Sequence, residues 1–260
     1  MFPTYNIFDY TFASYGTLIL LGLLVGIGFS VLQAKRYQPE LQEDVFFSSL
    51  FGVIGVGIGG KLLYILINIP EIINLLRSDL EFHQTMLILL QGGFVFYGSL
   101  IGAFLGLYIY SKAFNISCER ILFYLTPAVP LIHAFGRIGC FAAGCCYGVP
   151  CDRFGYIFIN SPIAPNGIRL FPTQLLEAGF CLIIFIIIMM FFKRINNGYY
   201  LFAIYGIMYS LFRFIIELFR GDIERGFVGF LSTSQIISLF IFVIALIYLY
   251  RDKDKLVQIK

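Results

Sequence analysis

Apolar runs long enough to cross a bilayer recur along nearly the whole chain, and this repetition limits the fold more than any other feature. Hydrocarbon about 30 Å thick needs about 20 apolar residues at a rise of ~1.5 Å each. About seven runs meet that length, at residues 15–33, 47–69, 86–111, 121–136, 172–192, 199–219 and 232–250. Inside lipid the backbone must satisfy its own polar groups, so such runs are read as helices. A water-soluble alternative is excluded by composition. The chain is 59% hydrophobic and 13% charged, where soluble domains carry about 25% charge. The expected fold is an all-α polytopic membrane protein, with residues 1–260 forming one transmembrane domain in the lipid bilayer.

Loop charge orients the runs. Lys35 and Arg36 separate the first two, Lys112 and Arg120 the third and fourth, and Lys193 and Arg194 the fifth and sixth. Arg251, Lys253, Lys255 and Lys260 follow the last. Those ends are expected in the cytoplasm. The other side holds an N-terminus without Lys or Arg, and then Arg77, Arg153, Arg169, Arg220 and Arg225. The N-terminus is therefore expected outside and the C-terminus inside. No basic stretch precedes the first run and no cysteine precedes Cys118, so neither a cleaved signal peptide nor a lipobox is visible there, and the chain is expected to be mature as written. The net charge of +3 is scattered through short loops and the tail without a groove or stripe, which speaks against a nucleic-acid partner. Gly98, Gly102 and Gly106 recur every four residues on one helix face, the pattern of a close-packing seam.

Polar residues inside the runs need a partner or a purpose, because a charge at a helix centre costs about 2.5–3.5 kcal/mol on insertion scales. Lys61, Arg137, Arg213 and Glu217 are the informative ones. In "RFIIELFR", Arg213, Glu217 and Arg220 fall on one helical stripe, and His133 and Arg137 are likewise four apart. Guanidinium forks suit phosphate or carboxylate. Two readings stand: a cavity that receives an anionic head group, or a buried structural pair with Arg137 capping a carbonyl. His133 reads as a proton acceptor or as a hydrogen-bonded helix residue. His83 sits in the polar segment "RSDLEFHQ" and reads as solvated.

The stretch "HAFGRIGCFAAGCCYGVPCD" holds four of the six cysteines, spaced C-x4-C-C-x4-C. That spacing lacks the C-x2-C pairs of ordinary structural zinc sites, so no metal site is expected. A disulfide framework, small buried thiols, and a nucleophile poised by His133 and Arg137 remain as readings.

The residues around that stretch resemble a known family. "FGRIGCFAAGCCYG" is similar to the G-R-x-G-N-F-x-N-G-E-x-x-G signature of the prolipoprotein diacylglyceryl transferases, aligning without a gap through Gly136, Arg137, Gly139, Phe141, Gly144 and Gly148. "SYGTLILLGLLVG", "GVGIGGKLLYIL", "QGGFVFYGSLIGA", "FPTQLLEA", "YSLFRFIIELFRGD" and "LSTSQIISL" resemble further family landmarks in the same order. There are departures. Tyr97 stands where the family usually has His, Cys140 and Ala143 replace the two signature Asn residues, and Cys145 replaces an acidic residue.

The resemblance implies a multi-pass enzyme of the bacterial inner or plasma membrane. It would transfer the diacylglyceryl group of phosphatidylglycerol to the lipobox cysteine of a preprolipoprotein, recognised through its signal peptide, with no cofactor. Two alternatives are a same-fold enzyme with another acceptor and a non-catalytic phospholipid-binding or transport protein. Carried over by position, Arg137 and Arg213 would hold the phosphate, Glu217 would orient Arg213, and Arg220 would stand near the outer mouth. Tyr15 would hydrogen-bond the head group. Tyr97 takes the place of the usual base candidate and His133 is its natural substitute. Cys140 lines the substrate loop, whose Gly139, Gly144 and Gly148 would let the backbone approach the lipid.

Overall fold

A computed structural model of the chain describes residues 3–77, 82–91, 93, 95–222 and 226–251. The chain divides into two compact units, one formed by residues 1–37 with 122–260 and one by residues 38–121.

The smaller unit is built on α2 (Gln42–Ile67) and α5 (Phe96–Ala113), with the short helices α3 (Ile69–Leu76) and α4 (Phe82–Gln91) between them. The glycine seam is what joins α2 to α5. A Cβ at Gly102 would collide with the Gly55 carbonyl, and one at Gly98 with the Gly59 carbonyl, so the two backbones touch directly. Close backbone approach is how helices gain dispersion contacts in lipid, where burial of apolar side chains gives no advantage. Asp44 accepts a hydrogen bond from the Tyr110 hydroxyl at 2.9 Å, and the Lys61 ammonium lies 5.0 Å from the Tyr64 ring centroid.

The larger unit opens with a hairpin of β1 (Thr4–Ile7) and β2 (Tyr10–Ala13) leading into α1 (Ser14–Tyr37). It continues through α7 (Ala128–Ala143), α8 (Thr173–Phe192), α9 (Gly198–Ile216) and α10 (Thr233–Arg251). Gly22 and Gly26 admit Phe135 and Ile132 of α7 against α1. Between α7 and α8 the chain forms a cap in which Tyr156–Ile157 pairs with Arg169–Leu170. Phe158, Ala164 and Leu170 make its core, closed by Phe141 and Tyr147.

Among the described residues, five helices are long and apolar enough to span a membrane, or six when a bent pair counts as one. About seven were expected, and the differences have local causes. The run at 121–136 is divided between α6 (Cys118–Leu125) and α7, which meet at 47°. Pro127 cannot donate to an α-helical ladder, and with Pro130 it starts α7 where amides need no intrahelical acceptor. The run at 86–111 lies on α4 and α5 in place of one helix. Of these two, α5 has 18 residues and carries Lys112 in its last turn. Residues 253–260, part of the basic tail, and Arg225 lie outside the described residues.

Candidate active site

The larger unit gathers its charges around one carboxylate. Glu177, one turn into α8 and 1% exposed, receives Arg137 at 2.9 Å on Oε1 and Arg213 at 3.3 Å on Oε2. The Tyr209 hydroxyl donates to Glu177 Oε1 at 2.8 Å. His133 Nε2 lies 3.7 Å from the same oxygen and 3.4 Å from the Tyr209 hydroxyl, with the two rings 4.7 Å apart. Three helices thus converge: α7 brings His133 and Arg137, α8 brings Glu177, and α9 brings Tyr209 and Arg213. The pairs four residues apart lie on single helix faces, which is why α7 and α9 each deliver two groups to one point.

The arginine stripe continues towards the end of α9. Arg213 Nη2 meets Glu217 Oε2 at 2.7 Å and donates to Ser234 Oγ at 3.3 Å. Arg220 lies 3.9 Å from Glu217 and forms a two-pronged pair with Asp222 through Nε at 2.8 Å and through Nη2. Glu217 thus pairs directly with Arg213. Arg213 also has its second terminal nitrogen on Glu177, so it is engaged with protein groups on both sides. Arg137 differs. Among the described residues its one ion-pair partner is Glu177, through a single terminal nitrogen, and a guanidinium has five N–H donors.

The signature loop is tied down at each step. Gly144 ends α7 in the left-handed conformation, φ 79°, where a Cβ is disfavoured. Its amide donates to Cys140 O at 2.9 Å, and the Cys145 amide follows to the same carbonyl at 3.1 Å. Gln174 Nε2 donates to Cys145 O and Thr173 Oγ1 to Cys146 O, each at 2.7 Å. Gly148 packs closely on two other stretches of chain, and a Cβ there would collide with both Phe171 O and Phe219 O. Through it the loop pairs with Arg220. Gly139 packs on Tyr15, whose Cδ2 a Cβ there would meet at 3.1 Å. A Cβ at Gly139 or Gly148 would thus meet protein groups, so the tight packing of the loop needs glycine at both positions.

Cys140, Cys145, Cys146 and Cys151 are thiols. Outside the helix, hydrogen bonds from the Cys140 and Cys145 thiols, then Arg137 and Arg220, pull the Cys146 thiol below its ordinary range. Cys145 is pushed up by hydrogen bonding to the Cys140 and Cys146 sulfurs and by burial. Tyr15 stands within electrostatic reach of Arg137 and of all three of these thiols.

Of the expected site residues, Tyr15, His133, Arg137, Gly139, Cys140, Gly144, Gly148, Arg213, Glu217 and Arg220 all belong to the larger unit. Tyr97 is in the first turn of α5 in the smaller unit, edge-on to Phe96 at 5.7 Å. The reading of single residues missed Glu177, Gln174, Thr173 and Tyr209. Glu177 and Gln174 could have been found by the rule applied to Arg137, since both are polar side chains in an otherwise apolar run.

A family model described as prolipoprotein diacylglyceryl transferase matches residues 4–251. The chain is 36% identical over 252 residues to the phosphatidylglycerol--prolipoprotein diacylglyceryl transferase of Clostridium tetani, covering 96% of each chain. It is 34% identical to transferase 2 of that name from Clostridium perfringens, covering 92% of this chain and 90% of the relative. The transferase of Hydrogenovibrio crunogenus is 30% identical over 86% of this chain and 84% of its own. These matches run from the first hairpin to the last helix, through the loop and the buried charges just described: the chain belongs to the prolipoprotein diacylglyceryl transferase family.

Proposed function

We infer that this chain is a multi-pass transferase of the bacterial cell membrane that moves the diacylglyceryl group of phosphatidylglycerol onto prolipoproteins. The observation that carries the reading is the buried cluster of Arg137, Glu177 and Arg213, held at the positions of the family's motifs in a unit otherwise built for lipid. Charges so costly to bury are expected where an anionic substrate is handled.

In this reading the acceptor is the lipobox cysteine presented at the end of a signal peptide. Its sulfur bonds to the glycerol carbon, the carbon–oxygen bond to phosphate breaks, and glycerol phosphate leaves. The thiol proton must be taken up as the sulfur attacks, and the leaving phosphate gains charge. Arg137 has donors to offer that charge, and Arg220 takes a second phosphate oxygen or guides the head group. Arg213 and Glu217 are positioning residues, because Arg213 holds Glu177 from the side opposite Arg137. This takes the place of the direct phosphate contact that the resemblance alone implies for Arg213. His133, within 3.7 Å of a carboxylate, is the base or relay, in the role that Tyr97 fills by position only. Tyr15 and the loop from Gly139 to Gly148, Cys140 and Gly144 included, frame the head group. The N-terminus and the cap at residues 144–172 face outward and the C-terminus faces the cytoplasm. The whole of residues 1–260 acts as one transferase domain.

The test is rescue of a bacterial strain depleted of its own transferase. Expression of this chain restores diacylglyceryl-modified lipoproteins, and Arg137→Ala does not. Absence of rescue by the wild-type chain, once its insertion in the membrane is verified, overturns the assignment.

A further inference from the structure

The signature loop carries an arrangement of thiols to which the proposed transfer assigns no chemical step. The Sγ atoms of Cys140, Cys145 and Cys146 all lie within 4.8 Å of one another. We propose that these three residues form a three-thiolate binding site for a thiophilic metal ion of the zinc class.

The convergence is a product of the backbone. The spacing C-x4-C-C-x4-C has no C-x2-C pair, but the left-handed turn at Gly144 folds the chain back over the last turn of α7 and places Cys145 above Cys140. Cys146 then adopts φ 60°, a left-handed conformation for a residue with a Cβ, which costs about 1–2 kcal/mol. That strain brings the third sulfur inward. Gln174 and Thr173 hold the carbonyls of Cys145 and Cys146 from α8, so the turn is braced from outside. Cys140 is 8% exposed and the other two are half-buried. The trio is thus sheltered yet reachable.

The geometry suits a metal. An ion about 2.3 Å from each of three sulfurs needs sulfur–sulfur spacings of roughly 4 Å. The thiols need close by no more than about 1 Å to reach it. Each ligating thiol gives up its proton to water. Thiolate ligands select soft and borderline ions over magnesium or calcium, and three protein ligands leave a fourth position open to water or another donor. Arg137 and Arg220, both within electrostatic reach of Cys146, offset the surplus negative charge of three thiolates around a divalent ion. A disulfide would use two sulfurs and leave the third without a reason to converge. Cys151 supplies the internal control: it stands as far along the chain from Cys146 as Cys145 does from Cys140. It is outside the cluster, with its amide bonded to Arg169 O at 2.9 Å.

The experiment is independent of lipid transfer. The full chain, reduced and metal-free in lipid nanodiscs, is titrated with Cd(II), and the sulfur-to-cadmium charge-transfer band is followed, with Zn(II) as competitor. The expected result is saturation at one ion per chain with an intensity of three thiolates. Cys140→Ser, Cys145→Ser and Cys146→Ser each remove about one third of that intensity and weaken binding by at least about tenfold. Cys151→Ser leaves both unchanged. Cys140→Asn provides a second variant, and circular dichroism verifies that each variant keeps its helices. No saturable band, a band that survives in the triple Ser variant, or a disulfide between two of the three residues in protein isolated without reductant would each overturn the proposal.

Discussion

Replacing Glu177 by Gln tests the physical basis of the site. The side chain keeps its shape and one carbonyl oxygen, which still accepts the Tyr209 hydroxyl, but its charge is gone. Before the change, Arg137 and Arg213 are balanced by Glu177 and Glu217, all four at most about one-seventh exposed. Afterwards two guanidiniums face one carboxylate, and Arg137 has lost its ion-pair partner. Removing one member of a buried pair costs about 3–5 kcal/mol. For a chain of this size that corresponds to a melting temperature lower by roughly 6–20 °C. Thermal unfolding of the wild type and variant in the same detergent, followed by circular dichroism, gives the value. Transfer activity at a temperature where both remain folded should fall well beyond the loss explained by unfolded protein, because Arg137 is no longer aimed. A variant that melts within about 2 °C of wild type would mean that the cluster is solvated and that the burial argument fails.

Four further outcomes follow from the same structure. Arg137→Ala inserts in the membrane but loses transfer by at least about a hundredfold, measured with a lipobox peptide, since an anchor for developing charge is worth that much. Arg213→Lys loses most activity and also stability, because one ammonium cannot bridge Glu177 and Glu217 as the guanidinium does. Gly102→Leu disrupts the α2–α5 seam, seen as loss of folded protein on detergent extraction, while Gly57→Leu, where a Cβ meets open space, does not. A reporter inserted near Asn166 behaves as external and one fused after the last residue as cytoplasmic; reversal of both would overturn the proposed facing.

The membrane class and the glycine seam were legible because each rests on a local pattern. Gly98, Gly102 and Gly106 repeat at helical spacing, and the structure sets them in turn against the backbone of Gly59, Gly55 and Phe51. The stripe of Arg213, Glu217 and Arg220 was legible for the same reason. What could not be read was which helices meet. Glu177 is 36 residues from Arg213 and 40 from Arg137 in the sequence, and no periodicity reports a contact between helices. Periodicity also gave no sign that one run bends at Pro127 or that another is distributed over α4 and α5. The thiol cluster was hidden by spacing rules that assume an ordinary turn, whereas here Gly144 and Cys146 both enter the left-handed region.

Diacylglyceryl transfer by this chain can be measured directly. Purified protein in vesicles containing phosphatidylglycerol, incubated with a peptide bearing a lipobox cysteine, should add one diacylglyceryl mass to that cysteine and release glycerol phosphate in equal amount. Phosphatidylethanolamine vesicles and the Arg137→Ala variant should yield neither product. Binding of phosphatidylglycerol without any adduct on the peptide, in protein that retains its helices, would show that the chain is not a transferase.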